Sequence, residues 1–161
     1  MRLTCVAVLL SAGLVFADQG GAKPSFAGTW VFESQPKGVE DASAARGHGG
    51  FYCAAECTIV QTDQTLTVQR RVGNVIQSDI FRLDGSDSRN TIAGRQGRIE
   101  VISKASWDGP RIRVSTTREF EGAPPVTTTQ TISLVESRLH VEVVPEVGAD
   151  PVRVAYKKVA R

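Results

Sequence analysis

The sequence predicts an all-β protein, an antiparallel up-and-down meander closed into a barrel. Three observations carry that prediction. From residue 57 onward Thr, Val, Ile and Arg dominate, and short turn signals recur between the runs. Along each run apolar and polar residues alternate, which leaves one face for a core and one for water. The breaks are only a few residues long, so neighbours in sequence pair antiparallel. A sheet of about ten twisted strands rarely stays open, and closure removes its exposed edges.

Taken in order, residues 1–17 read as a cleavable signal peptide. Arg2 supplies the positive start, residues 3–16 carry no charge, and Val15 and Ala17 are the small residues a signal peptidase needs. The apolar run is shorter than the about 20 residues that a spanning helix takes. Cleavage after Ala17 predicts an exported protein, periplasmic or secreted. Residues 18–25 are expected to form a flexible lead, and 26–161 a single domain. Its first strand, 26–33, carries Gly28-Thr29-Trp30. A Gly-rich loop at 34–52 follows, with Pro36, Gly38, Gly47, Gly49 and Gly50, and such a long loop is suited to covering a barrel mouth.

Further strands are expected at 58–62, 65–72, 75–83, 89–93, 98–107, 111–120, 126–135, 139–145 and 152–159. Gly73-Asn74, Asp84-Gly85, Asp108-Gly109-Pro110 and Gly148-Ala149-Asp150-Pro151 mark breaks between them, because Gly supplies positive φ and Asn or Asp tolerates it. Alternation assigns the faces. Ile112, Val114, Thr116, Arg118 and Phe120 share one face, as do Val101, Ser103, Ala105 and Trp107, and Val126, Thr128, Gln130 and Ile132. Leu139, Val141 and Val143 point inward, which turns His140 toward solvent.

Composition excludes several function classes. A formal net charge of +2, one unit of it from Arg2, is far from the basic footprint of a nucleic-acid binder. No Lys/Arg run points to an anionic membrane surface, and no apolar stretch after residue 17 reaches spanning length. With Cys5 removed, Cys53 and Cys57 remain, and in an exported chain such a pair is most simply a disulfide that pins a loop. The alternative is a Cys-x3-Cys metal or redox pair with His48, which falls short of the four ligands zinc usually takes. Asp63, Asp84 and Asp87 supply oxygens for calcium only on paper, since Asp84-Gly85-Ser86-Asp87 is also what a turn wants. Neither His48 nor His140 has a partner at catalytic spacing, so no catalytic residue, metal or cofactor is expected.

Gly28-Thr29-Trp30 on a first strand, before a long loop and a meander, resembles the Gly-x-Trp opening of lipocalins and related calycin barrels. Gln64-Thr65-Leu66-Thr67-Val68, Ser106-Trp107-Asp108-Gly109 and Tyr156-Lys157-Lys158-Val159 are similar to hairpins of lipocalin-like exported proteins of bacteria, mostly uncharacterised. The resemblance implies an up-and-down barrel of about eight strands around a small apolar ligand. It also implies that Trp30 plugs the closed end, with Arg153 or Lys157 stacked over it as the cation.

Polar residues on the inner face define the candidate site. Arg70 falls with Leu66 and Val68, Arg118 with Val114, and Gln77 and Asp79 with Phe81. Buried arginines must be paired, with Asp79 for instance, or must meet an anion. One reading is a pocket with an apolar floor and a cationic mouth, contacted by Arg70, Trp107, Arg118, Phe120 and Gln130. The other places these side chains at strand ends in solvent. The expected function is non-enzymatic binding of a small apolar or amphipathic molecule. The alternative is an envelope or extracellular protein-interaction module with a filled barrel, for which an apolar patch at Phe51-Tyr52 would dock a protein partner. An enzyme would instead need a perturbed titratable pair inside a pocket.

Overall fold

The computed structural model describes residues 22–34, 51, 53–94, 97–120, 123–144 and 150–160. The expected signal peptide, residues 18–21 of the lead and nearly all of the 34–52 loop lie outside them. Ten strands follow one another: β1 (Gly28–Ser34), β2 (Glu56–Gln61), β3 (Thr65–Val72), β4 (Val75–Arg82), β5 (Asp84–Gly94), β6 (Gly97–Asp108), β7 (Arg111–Phe120), β8 (Ala123–Val135), β9 (Arg138–Val144) and β10 (Val152–Lys158). Among the described residues there is no helix. The sheet order is β4-β3-β2-β1-β10-β9-β8-β7-β6-β5, and every neighbouring pair is antiparallel. This is the up-and-down meander that the alternation predicts, with ten strands rather than the about eight of the lipocalin pattern. β1 pairs with β10, so the first and last strands lie side by side.

The barrel closes differently at its remaining seam. The edges β4 and β5 form no ladder, and side chains of β4 and β5 bridge them instead. The Asn90 amide accepts from the Ile80 N–H at 2.8 Å and donates to the Ile80 carbonyl at 2.9 Å. Ser88 Oγ accepts from the Arg82 N–H at 2.8 Å, and Gln77 Nε2 donates to the Thr91 carbonyl at 2.8 Å. Three polar side chains thus satisfy backbone groups that an edge strand would leave bare. This seam corrects the expected break at Asp84-Gly85. β5 starts at Asp84, with Leu83 alone joining it to β4, because the two strands need no shared register. The Ser86 hydroxyl and amide both donate to the Asp84 carboxylate and hold its pKa below the usual carboxylate range.

The base of the barrel is built around Trp30. Its ring is 1% exposed, and its Nε1 donates to the Phe26 carbonyl at 2.8 Å. Phe26 was expected in the first strand. It lies ahead of β1 instead, fully buried, and its ring packs 6.0 Å from that of Trp107. Gln61 ties this segment down, accepting from the Phe26 N–H at 2.7 Å and donating to the Pro24 carbonyl at 3.2 Å. Pro24 and Phe26 are thus tied to β2 at the base, while Ala22, Lys23 and Ser25 of the expected lead are exposed.

The cation over Trp30 is Lys158, with Nζ 5.5 Å from the ring centroid. This corrects the expectation of Arg153 or Lys157. Val154 and Tyr156 point inward, so the residue in phase with them, paired with Trp30 in the ladder, is Lys158. Arg153 is on the outer surface, bonded to Glu142 at 2.6 Å, and Lys157 is exposed. Gly28 makes room for this arrangement. Its φ is +139°, and a Cβ there would collide with Cε of Lys158.

Candidate ligand site inside the barrel

The ladder registers sort the inner face into rows that run around the wall. One row is apolar throughout: Ile112, Ile132, Val141 and Val154 stand side by side on β7 to β10. Four residues further from the base, Ser88, Ser103, Thr116 and Thr128 form a belt of hydroxyls across β5 to β8. All four are buried, and Ser103 and Thr116 share a hydrogen bond of 2.8 Å. Between floor and belt runs a row of Ala105, Val114, Gln130, Val143 and Val152. Gln130 is its one polar member.

Gln130 is 1% exposed, and its Nε2 donates to the Phe51 carbonyl at 2.9 Å. Among the described residues its Oε1 has no hydrogen-bond partner. A buried acceptor left unmatched costs about 1–3 kcal/mol. The sequence placed Gln130 on the inner face but gave no sign of its partner. That partner, Phe51, comes from the Gly-rich loop and is buried inside the barrel. Its ring lies 6.5 Å from that of Phe81 on β4, so Phe51 reaches from one wall to the opposite one. This removes Phe51 from the exposed patch expected at Phe51-Tyr52, while Tyr52 lies outside the described residues. Cys53 and Cys57, both buried, form a disulfide with a Cα–Cα separation of 4.9 Å, which fixes the chain two residues beyond Phe51.

The other expected contacts divide. Arg70 is buried, and its guanidinium meets the carboxylate of Asp79, which also accepts from Gln77 at 3.2 Å. Its charge is answered within the wall. Arg118 is half-buried on the inner face of β7, opposite Val126, beyond the hydroxyl belt. Trp107 lies six residues from Arg118 along the antiparallel β6–β7 pair, about 20 Å away at strand spacing. It belongs to the base, beside Phe26, with Lys23 Nζ 5.2 Å from its ring centroid. Its distance from the belt follows from its place near the end of β6, where the alternation gives the face but not the height. The Phe120 side chain lies outside the described residues. Gln130 and Arg118 thus share the inner face but lie four residues apart, about 13 Å at strand spacing, Arg70 is paired with Asp79, and Trp107 does not join them.

The residues that sequence reading passed over are Phe51, Ser88, Asn90 and Lys158. Ser88 and Asn90 carried a signal, since both fall at alternate positions of one strand. Two open grooves, about 730 Å³ along Thr29, Thr58 and Val60 and about 420 Å³ beside Glu56 and Arg71, lie along outward-facing residues of the wall. Among the described residues no group of three His, Cys, Asp or Glu is placed to hold a metal ion. No helix among them is long and apolar enough to cross a membrane.

No family model matches the sequence, and no curated protein matches it. Solved structures do. The REP1-NXSQ fatty acid transporter is 14% identical, covering 84% of this chain and 96% of its own, with a TM-score of 0.55. A variant of the fluorescent protein UnaG is 16% identical, covering 84% of this chain and 97% of its own, with a TM-score of 0.59. These structures share with this chain an antiparallel up-and-down barrel. At these identities the likeness is one of architecture.

Proposed function

We propose that the protein is an exported, non-enzymatic carrier that holds a small apolar or amphipathic molecule inside the barrel. The observation that carries this reading is the layered interior, an apolar floor beneath a belt of buried hydroxyls. A barrel needed only as a scaffold is better filled with hydrocarbon, because each buried polar group must find a partner. An apolar floor with polar groups above it suits a ligand with a hydrophobic body and one polar end. That one neighbour in fold is a fatty acid transporter supports the reading. Gln130 and Arg118 are the contacts proposed for the polar end, with Phe120 as a further wall residue. Arg70, neutralised by Asp79, is proposed as structural.

Export is proposed on the charge and apolar pattern of residues 1–17, and the disulfide is compatible with an oxidising compartment. A second reading, the interaction module with a filled barrel, draws on the burial of Phe51 inside the wall. Native mass spectrometry of the mature protein from its own host separates the two. A stoichiometric small adduct, lost on denaturation, is the expected result, on a chain beginning at Asp18. A chain that stays free of adduct when offered a panel of lipids and aromatic metabolites overturns the carrier reading.

A further inference from the structure

Phe51 occupies the place where a ligand of this barrel would sit, and its contacts describe such a ligand. Its ring packs toward Phe81, and its carbonyl takes the hydrogen bond from Gln130 Nε2. Beside that bond lies Gln130 Oε1, buried and unpartnered in a row otherwise made of Ala and Val. A peptide carbonyl from Phe51 satisfies half of the carboxamide and leaves the other half unmatched. A group with an acceptor and an N–H donor on the same side would satisfy both.

On the reading that the interior binds a ligand, we propose that Phe51 is a built-in occupant of the site. The ligand that displaces it is a neutral, ring-bearing molecule with a primary amide or lactam edge, read by the carboxamide of Gln130. A lactam or primary amide presents a carbonyl and an N–H side by side, which is the complement of a Gln side chain. A carboxylate presents two acceptors, so one of them faces Gln130 Oε1. It would also bring a charge into a row flanked by Val114 and Val143, with the Arg70 guanidinium already bound to Asp79 and Arg118 four residues further along the wall, about 13 Å away at strand spacing. The Cys53–Cys57 disulfide sets how far Phe51 can travel when it yields, since its anchor begins two residues away.

The test uses the full mature chain, its Phe51→Ala variant and the double variant with Gln130→Leu, probed with benzamide, benzoate and toluene. Deleting a large buried side chain leaves an apolar cavity that takes up benzene-sized molecules. Thermal melts and calorimetry of Phe51→Ala should show benzamide binding about tenfold more tightly than benzoate or toluene, a ratio set by one added hydrogen bond. The double variant should bind toluene as well and lose the preference for the amide. In the wild-type chain, the side-chain amide resonances of Gln130, assigned by their loss in the Gln130→Leu variant, should shift on benzamide titration. That measurement stands even where Phe51→Ala fails to fold. Equal binding of toluene and benzamide to Phe51→Ala overturns the proposal and leaves interior binding intact. So does a wild-type chain that takes up an apolar probe without any change at Gln130. Failure of every probe with every form overturns both.

Discussion

The base and the upper wall of this barrel use the same residue for opposite ends. At the base Gln61 engages both atoms of its carboxamide, one with the Phe26 N–H and one with the Pro24 carbonyl. In the wall Gln130 engages one and leaves the other without a partner. At the base Trp30 has its N–H satisfied and a cation over its ring, and Phe26 and Trp107 pack beside it, although the buried Nε1 of Trp107 has no hydrogen-bond partner among the described residues. The wall is incomplete, with an orphaned acceptor and a loop residue lodged among strands. The comparison that holds is between the two carboxamides, one used at both ends and one at a single end.

The largest effect expected from breaking this contrast is at the base. Trp30→Ala removes the biggest fully buried side chain and orphans the Phe26 carbonyl. Urea denaturation should show a loss of about 4–5 kcal/mol, within the range for Trp truncation in a core. A loss below half of that would mean that Trp30 is peripheral to the fold. Next comes the buried pair in the wall. Asp79→Ala strands the Arg70 guanidinium and should cost about 3 kcal/mol, because an uncompensated buried charge is worse than none. Adding Arg70→Met should restore most of that stability. A double variant no better than the single one would show that Asp79 acts by some other contact.

The seam between β4 and β5 gives a smaller effect. Asn90→Ala removes both bonds to the Ile80 backbone at a half-exposed edge, where water replaces part of what is lost. A cost of about 1–2 kcal/mol is expected. The sharper readout is amide exchange at Ile80, which should accelerate while Ile132, in the ladder between β7 and β8, stays protected. Unchanged exchange at Ile80 would show that its N–H is guarded without Asn90.

Much of this was legible in the sequence, for reasons visible at particular residues. The alternation of Ile112, Val114 and Thr116 against Arg111, Arg113 and Ser115 fixed the inner face of β7, and its neighbours repeated the pattern. Gly28-Thr29-Trp30 marked the base by its resemblance to the Gly-x-Trp opening, and the φ of +139° at Gly28 is one that L side chains rarely adopt. The same period of two would have named Lys158 itself, in phase with Val154 and Tyr156. Phe51 was not legible. It stands alone beside the glycines of the loop, with no periodicity to give it a face, and its burial depends on contacts with β4 and β8 that are remote in sequence. Height along the barrel was equally hidden, since alternation gives the face of Trp107 but only the register places it at the base.

The finest test of the comparison sets the two glutamines side by side. Gln61→Leu breaks two bonds and leaves the Phe26 N–H and the Pro24 carbonyl without partners, so it should cost about 2 kcal/mol. Gln130→Leu breaks one bond, to the Phe51 carbonyl, but also removes an acceptor that was buried at a cost. The two terms oppose each other, and a leucine adds apolar contact in a row that already holds Val114 and Val143. Its net change should therefore lie within about 1 kcal/mol of zero, in either direction. Parallel urea titrations of the two variants measure the difference directly. Equal losses would mean that Gln130 is as fully used as Gln61. A near-neutral Gln130→Leu would mean that this glutamine contributes nothing to the folded state that a leucine cannot supply. Its carboxamide would then be accounted for by what it binds.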